Sequence, residues 1–173
     1  MFRRIRKTGT YVSKRLMGQK NVPSLRIDDT DRKILRAMMA DSRLSLRNLA
    51  ATTHISVGTI RERIAKLQSH GVIKNYTVML DPSKLGYKIT GIIQVFLSSK
   101  DGISPIENKV AKMPSVAAVY SVTGGSDLII IARFKDAEGL NVFVKEILAM
   151  KGILRTSTLI VLDAFKEDFR MIV

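Results

Sequence analysis

Between residues 27 and 71, apolar residues recur at helical spacing in three short segments. The first segment predicts a helix from Asp28 to about Ala40, and its early carboxylates suit the positive end of a helix dipole. Ser45 and Ser56 are each placed to cap the start of a further short helix. The third helix has an apolar stripe formed by Val57, Ile60, Ile64 and Leu67. Two short helices joined by a brief turn have the spacing of a helix-turn-helix.

Both histidines of the chain fall in this helical half. His54 lies in the turn before the third helix, where a left-handed backbone is usual, and histidine tolerates that conformation better than most residues. His70 lies near the C-terminus of the third helix, where partial positive charge is favourable, and Gly71 is a natural stop. We therefore interpret both histidines as structural residues, without a catalytic role.

The rest of the chain has the pattern of strands and helices in alternation. The stretch from Val72 to Leu80 predicts a hinge strand, closed by the turn signal Asp81-Pro82. Beyond Gly86 the pattern predicts strand, helix, strand, strand, helix and strand, at Ile89–Ser98, Ile103–Met113, Val116–Val122, Leu128–Phe134, Ala137–Met150 and Arg155–Asp163. This order predicts an α+β fold whose second domain is a ferredoxin-like αβ-sandwich.

A faint internal repeat supports two βαβ halves, because residues 110–116 resemble residues 147–153. The strands are so rich in Ile, Val and Leu that both faces of the sheet should be buried. A second copy of the chain is the simplest cover for the face without helices. We therefore expect a symmetric homodimer. The third helices of its two helix-turn-helix units would lie about 34 Å apart, which is the spacing at which recognition helices read a palindromic DNA site.

Charge is concentrated in the helical half of the chain. The sequence has 29 Lys and Arg against 15 Asp and Glu, a formal net charge of +14, and residues 1–75 hold 17 of the bases but only 5 of the acids. This asymmetry indicates that the front half meets a polyanion such as double-stranded DNA. Residues 1–26 carry eight bases and no acid. We interpret them as a basic tail, either disordered, an arm on DNA phosphates, or, for residues 1–16, an extension from a start upstream of Met17.

We divide the chain into this tail (1–26), a helix-turn-helix domain (27–75), a hinge strand and linker (76–86) and a sandwich domain for ligand binding and oligomerisation (87–173). The absence of cysteine excludes disulfides, thiol nucleophiles and thiolate metal sites, and two histidines make a poor metal cage. We therefore expect neither a metal nor a cofactor. No apolar run approaches the roughly 18 residues that a membrane helix needs, so we expect a soluble, cytoplasmic protein with no membrane partner.

The outward face of the third helix has the composition of a DNA-reading surface. Small residues at its start allow close approach to the major-groove floor, and its longer charged side chains can reach base edges or phosphates. The alternative is an ordinary solvated face, which the basic half and the capped turn disfavour. The predicted DNA-binding residues are Ser45, Ser56, Gly58, Thr59, Arg61, Glu62, Arg63 and Lys66.

The loop between the two sandwich halves has unusual composition for a hairpin in so apolar a region. It reads Thr123, Gly124, Gly125, Ser126, Asp127. Its two glycines free N–H groups to approach an anion and its aspartate can pair with a cation, so the loop suits a small zwitterion. An ordinary Gly-Gly turn in which the aspartate bonds its own backbone is an open alternative.

Together these residues resemble the Lrp/AsnC (feast/famine) transcription regulators of bacteria and archaea, over about residues 27–173. The motifs that carry the resemblance are Ile27-Asp28 with Asp31 and Ile34-Leu35, Arg43 with Leu49-Ala50, Ser56 with Thr59, Arg63 with Ile64 and Leu67, Gly71-Val72-Ile73, Leu80-Asp81-Pro82 with Leu85-Gly86, and Gly124 with Asp127. His54 departs from the glycine that members commonly have, and Ser126 from the aromatic residue that many carry.

The resemblance implies a winged helix-turn-helix and an effector domain in dimers that assemble further, to tetramers or octamers. It also implies an amino-acid effector bound between dimers, near the 123–127 loop and the last-strand residues Thr156 and Thr158. The predicted function is a sequence-specific DNA-binding transcriptional regulator, not an enzyme, whose DNA binding or assembly is modulated by that effector. The alternatives are an architectural DNA-binding protein with little sequence preference and an enzyme resembling haem-pathway decarboxylases, which would want histidines in the sandwich pocket.

Overall fold

A computed structural model describes residues 25–98 and 103–168, so the predicted basic tail and the alternative start at Met17 lie outside the described residues. Contacts divide the chain into two compact units, residues 25–79 and residues 80–165. The first unit holds the three predicted helices, α1 (Asp29–Ala40), α2 (Leu46–Thr53) and α3 (Val57–Ser69). They pack around a small core of Ile34, Leu49 and Ile60.

The two predicted serine caps form, and a side chain also caps the first helix. The side chain of Asp28 accepts from the backbone N–H of Asp31, and the side chain of Asp31 accepts from the backbone N–H of Asp28. These two bonds form a capping box on α1. The Ser45 hydroxyl caps α2 through the Asn48 N–H at 3.2 Å, and Ser56 caps α3 in the same way. These polar residues therefore determine where each helix begins.

The turn between α2 and α3 confirms the interpretation of His54. Its backbone lies in the left-handed region, at φ 58° and ψ 34°, and among the described residues it is the one non-glycine with positive φ. At the other end of α3, Gly71 has φ +69°, and the N–H of Val72 donates to the Leu67 carbonyl over 2.9 Å. This closing geometry is a Schellman motif, in which glycine avoids the strain that a side chain would cause.

The predicted hinge strand over Val72–Leu80 is wrong for the described chain, because residues 74–80 have no regular secondary structure. The segment is apolar and exposed, with Val78 76% and Leu80 65% accessible. A strand needs a neighbour for its N–H and C=O groups, and no described segment pairs with this one. A short 3-10 turn, Ser83–Leu85, then leads into the sandwich.

The second unit is the predicted βαββαβ sandwich. Its elements are β1 (Ile89–Leu97), α4 (Ile103–Val110), β2 (Val116–Ser121), β3 (Leu128–Phe134), α5 (Ala137–Leu148) and β4 (Ile153–Ile160). The sheet order is β2-β3-β1-β4, and every neighbouring pair is antiparallel. The last strand begins and ends earlier than predicted, because its ladder with β1 runs only from Leu97↔Ile153 to Gly91↔Ile160.

The internal repeat has the same backbone geometry in both copies. Met113 N–H donates to Val110 O and Val116 N–H to Met113 O, each over 3.0 Å. In the second copy Met150 donates to Ile147 O over 3.0 Å and Ile153 donates to Met150 O over 3.2 Å. In each copy, therefore, a buried aliphatic residue and a methionine tie the end of a helix to the start of the next strand.

The two faces of the sheet differ. Alternate residues of β1 and β3, such as Val95 and Ile130, are fully buried against α4 and α5. The other face carries the intervening residues, and no helix of the described unit covers it. Its apolar members are half-buried or exposed and comprise Ile92, Phe96, Tyr120, Ile129, Ile131 and Leu159. We call this surface the open face.

Candidate functional site

The exposed side of α3 brings together most of the residues predicted to contact DNA. Gly58, Arg61, Glu62 and Lys66 are exposed, whereas Ile60 and Leu67 on the opposite side are fully buried. Within the described chain, the side chains of Arg61 and Lys66 have no ion-pair partner. The arrangement offers two cations and one carboxylate to a groove.

The small hydroxyl residues also stabilise the start of the helix. The Ser56 and Thr59 hydroxyls lie 2.8 Å apart, and Ser56 also accepts from the Thr59 N–H at 3.2 Å. Ser45 does the same for α2. All three keep the helix starts in place, and Ser45 and Ser56 remain exposed.

Arg63 differs from the other predicted DNA-contacting residues. Its guanidinium donates to the Asp28 carboxylate and, over 3.3 Å, to Asp31, whose side chain is only 1% exposed. These bonds link α3 to the capping box of α1. The structure therefore does not place Arg63 with the exposed cations, and its charge is compensated inside the unit.

The same contacts shift two pKa values. The backbone N–H of Asp31, and next the Arg63 guanidinium, hold the pKa of Asp28 below its ordinary value. The bond to Asp28 raises the pKa of Arg63. A depressed carboxylate pKa contributes stability that is present above the unfolded pKa, about 3.9, and is lost as pH falls through the folded value.

We expect Asp28→Asn to lower the melting temperature at neutral pH, since asparagine keeps a capping oxygen but loses the charge that faces Arg63. The variant should also lose less stability than the wild type between about pH 5 and pH 2, because one carboxylate with a lowered pKa is gone. Thermal unfolding followed by circular dichroism across that range measures both effects. Asp29→Asn is the matched control, because its side chain is 96% exposed. Parallel pH curves for Asp28→Asn and wild type would refute the assignment.

In the second unit, the 123–127 loop joins β2 to β3. Thr123, Gly124 and Gly125 are exposed, and Gly124 has φ +118°. A Cβ at either glycine would meet no atom within 4 Å, so the space around the loop is open. Ser126 is only 8% exposed and faces inward. The loop tip is thus accessible to a ligand.

Asp127 ties this loop to the central strand. Its Oδ2 accepts from the Leu97 N–H at 2.9 Å, and its own N–H donates to Val95 O at 3.0 Å. The alternative of a turn in which the aspartate bonds its own backbone does not describe this side chain, because the carboxylate accepts from a residue of β1. The Oδ2 atom of Asp127 therefore bonds the backbone of β1, and its Oδ1 atom takes no part in that bond.

The threonines predicted to contact the effector lie on β4. Thr156 is paired with Val95 and Thr158 with Ile93, so both are on the side of the sheet that faces the helices, and both are half-buried. Thr156, on β4, and Asp127, at the end of the 123–127 loop, lie on opposite sides of Val95. Thr158 lies two residues farther from the loop.

One contact near the loop was missed from the sequence. The Cζ atom of Arg155 lies 3.4 Å from the centre of the Phe96 ring, on paired positions of β4 and β1. Alternation of apolar residues gives the face of each residue but not the register between strands. Sequence reasoning therefore had no signal that would place these two residues opposite each other.

Other kinds of site find no support in the described residues. Across 25–98 and 103–168, no three His, Asp or Glu side chains gather as metal ligands would. In the same ranges, no helix has both the length and the apolar character that crossing a bilayer requires.

Two folded units, one with a capped helix-turn-helix and one with a βαββαβ sheet, define a DNA-binding regulator with a ligand-binding domain. The family model described as winged helix-turn-helix DNA-binding matches residues 27–74, and the Lrp/AsnC ligand binding domain model matches residues 90–171. The chain belongs to the Lrp/AsnC family of transcriptional regulators. This confirms the family, the α+β fold class and the regulatory function predicted from the sequence.

Relatives of this chain include proteins of Pyrococcus furiosus. An uncharacterized HTH-type transcriptional regulator is 46% identical over 147 residues, covering 85% of this chain and 99% of the relative. The HTH-type transcriptional regulator FL11 is 35% identical over 141 residues, covering 82% of this chain and 93% of the relative. The match therefore extends over nearly the whole length of both relatives.

Solved structures agree with this assignment. Escherichia coli AsnC is 29% identical with a TM-score of 0.76, covering 82% of this chain and 96% of that one. The L-Met complex of the transcriptional regulator NMB0573 from Neisseria meningitidis is 25% identical with a TM-score of 0.77, covering 83% of this chain and 95% of that one. The second neighbour is thus a regulator that binds an amino acid.

Proposed function

We propose that the chain reads a specific DNA site with the exposed face of α3 and that a small amino acid, bound beside the 123–127 loop, modulates this binding. The observation that carries the first part is the pair of exposed cations Arg61 and Lys66, which have no ion-pair partner among residues 25–98 and 103–168, on a helix that begins with small residues. Such a helix can enter the major groove at its N-terminal end and use its cations on guanine edges or phosphates. Glu62 is placed to accept from a cytosine amino group.

Arg63 acts differently in this proposal. Because its guanidinium is held by Asp28 and Asp31, we propose that it fixes the angle of α3 and does not contact DNA. Ser45, Ser56 and Thr59 act in part in the same way, since their hydroxyls support the helix starts that the groove would meet. Gly58 contributes by its small size.

The amino-acid effector is supported by the ligand-binding domain and by the L-Met complex of the Neisseria neighbour. In this chain Asp127 offers a carboxylate to the effector ammonium, and the exposed glycines offer backbone N–H groups. Thr156 pairs with Val95, whose carbonyl accepts from the Asp127 N–H, so we place Thr156 beside the loop, and Thr158 lies two residues farther along β4. Ser126 is buried, so in this proposal it supports the loop from within the fold and does not lie at the exposed tip.

We expect Asp127→Asn to abolish the effect of amino acids on DNA binding while the fold stays intact. Asparagine keeps an oxygen that can accept from the Leu97 N–H but has no charge for an ammonium. Asp127→Ala loses both functions and should also destabilise the unit by roughly 1–3 kcal/mol, since a half-buried N–H is left unpaired. Fluorescence-anisotropy titration of DNA with and without pooled amino acids measures the first effect, and thermal unfolding the second. An undiminished response in Asp127→Asn would remove Asp127 from the site.

The open face is our proposed dimer contact. Its apolar residues on four strands exceed what a lone sandwich needs to expose, and a second copy buries them with twofold symmetry. The dimer presents two α3 helices to a palindromic site, and dimers assemble further to tetramers or octamers. Effector binding between dimers then favours one assembly, which changes the half-sites that are engaged together.

The architectural alternative rests on the net charge of +14 alone. It predicts DNA binding that is nearly independent of sequence and falls steeply with salt. The enzyme alternative has no histidine in the sandwich: His54 caps α2, and the His70 Nδ1 lies 2.9 Å from the Lys66 carbonyl at the end of α3. The hypothesis of a cytoplasmic regulator without an enzymatic role accounts for more of the chain.

A further inference from the structure

The first 26 residues of the chain carry a charge that the proposed function does not use. They hold eight bases and no acid, and only residues 25 and 26 of them fall within the described chain. They also precede both family models, which match residues 27–74 and 90–171. This basic tail is therefore an addition to the two domains that define the family.

The described residues show where the tail joins the helix-turn-helix unit. Arg32 Nη1 donates to the Ile27 carbonyl over 3.0 Å, and the Arg63 guanidinium on α3 donates to the Asp28 carboxylate. These bonds hold the two residues that directly follow the tail, and the second bond comes from the helix that we propose to enter the groove. Arg26, the last base of the tail, is exposed. The tail is thus attached beside α3, within reach of any DNA that α3 contacts.

The helix-turn-helix unit alone offers few cations to DNA phosphates. Residues 27–75 hold nine bases and five acids, a net charge of +4. Three of the nine bases, Arg32, Arg43 and Arg63, form ion pairs with aspartates of the same unit. Duplex DNA presents one negative charge about every 1.7 Å along its axis, so the remaining cations neutralise only a small part of a binding site. The tail raises the net charge of residues 1–75 to +12.

Neither unit of the chain is an acidic partner for the tail. The helix-turn-helix unit is positive, and residues 80–165 hold ten bases and eight acids. A segment with eight bases and no acid is therefore repelled by the net charge of both units, and its counter-charge comes from another molecule. At about 3.4 Å per residue, residues 1–24 can extend at most about 80 Å from Leu25, which exceeds two turns of DNA.

We propose that the basic tail is an arm that binds the phosphates beside the site contacted by α3 of the same chain. This inference takes DNA as the partner from the proposed function and adds a second contact of a different kind. Phosphate contacts carry no base information, so the arm raises the affinity for every DNA alike, while α3 supplies the preference for one site. Each base that neutralises a phosphate also releases counterions, so the arm makes DNA binding more dependent on salt.

The test uses the full chain with the seven bases before Leu25 replaced by glutamine. Anisotropy titrations with the upstream fragment and a scrambled fragment, at several salt concentrations from about 50 to about 200 mM, give the slope of log affinity against log salt. The slope should become shallower by about 0.9 for each base that contacts a phosphate, up to about 6 in all, and equally on both fragments. The substituted residues are Arg3, Arg4, Arg6, Lys7, Lys14, Arg15 and Lys20.

A chain that starts at Met17 is the second variant. It lacks six of these seven bases without any substitution, so its slope should shift nearly as far. The matched control removes the same charge from the sandwich, by replacing seven exposed lysines with glutamine, and it should keep the wild-type slope. These lysines are Lys84, Lys88, Lys109, Lys112, Lys135, Lys145 and Lys151.

The outcomes separate the arm from the proposed function. An unchanged slope in the tail variants, or an equal shift in the sandwich control, would overturn the arm while leaving a preference for the upstream fragment intact. A tail variant that loses this preference would show that the tail reads bases, which also contradicts the proposal. If the wild type prefers neither fragment but the tail variants still have the shallower slope, the arm stands and the sequence-specific function fails.

Discussion

Replacing Arg61 and Lys66 together with alanine is expected to weaken binding to the specific DNA site by roughly 30- to 1000-fold. Both side chains project from the exposed face of α3 without an ion-pair partner in the described chain. Each lost contact to a base edge or phosphate costs about 1–2 kcal/mol, and the two costs together correspond to that range. The fold should remain, because neither side chain contributes to the buried core of Ile34, Leu49 and Ile60.

The control for this variant removes two cations elsewhere in the same unit. Arg26 and Lys33 are exposed near or on α1, so the double alanine variant loses equal charge without changing α3. It should show only the modest loss that reduced net charge causes, equally on specific and scrambled DNA. Electrophoretic mobility shift or anisotropy titrations at one fixed salt concentration compare the two. If both double variants lose the same DNA affinity, Arg61 and Lys66 make no specific contact with DNA.

The second large effect is expected for Ile131→Asp, which should convert the proposed dimer into a monomer. Ile131 lies at the middle of the open face, where it pairs with Ile92 on β1 and Ala118 on β2. In a twofold contact each copy would contribute a carboxylate to an apolar interface, at a cost of several kcal/mol. We therefore expect the dimer dissociation constant to rise by roughly 100-fold or more.

Asn141→Asp is the matched control for Ile131→Asp, and it lies on the helical layer of the sandwich. Asn141 is exposed on α5, so the variant gains the same charge away from the open face. Size-exclusion chromatography with light scattering should find Asn141→Asp dimeric and Ile131→Asp monomeric, with circular dichroism reporting that both are folded. A dimeric, folded Ile131→Asp protein would require a different interface.

Local signals were enough to predict the helix-turn-helix unit. Ser45, Ser56 and Gly71 mark helix ends through bonds within a few residues, so the printed sequence contains nearly all the information that sets the bounds. His54 is predictable for the same reason, since its left-handed backbone depends only on the turn. Side chains that bond across helices were not predictable: Arg63 looked like another outward cation, and its partners Asp28 and Asp31 lie far away in sequence.

The strands were predicted less well than the helices, because a strand forms only where a neighbouring strand pairs with it. The alternation over Val72–Leu80 is typical of a strand, but the described chain has no neighbour to pair with it. In the sandwich the order of elements was right, whereas the bounds of β4 follow from its pairing with β1, whose last pair is Gly91↔Ile160. Register explains why the pairing of Phe96 with Arg155, and the bond from Leu97 to Asp127, could not be foreseen.

The central claim is that the chain is a sequence-specific regulator tuned by an amino acid. The most direct test is fluorescence anisotropy with a fragment from upstream of its own gene and a scrambled fragment of equal length, at near-physiological salt, with and without pooled amino acids. We expect tighter binding to the upstream fragment and a shift of that affinity, or of its steepness, when the amino acids are added. Equal affinity for both fragments, unchanged by the pool, would contradict the claim and favour an architectural DNA-binding protein.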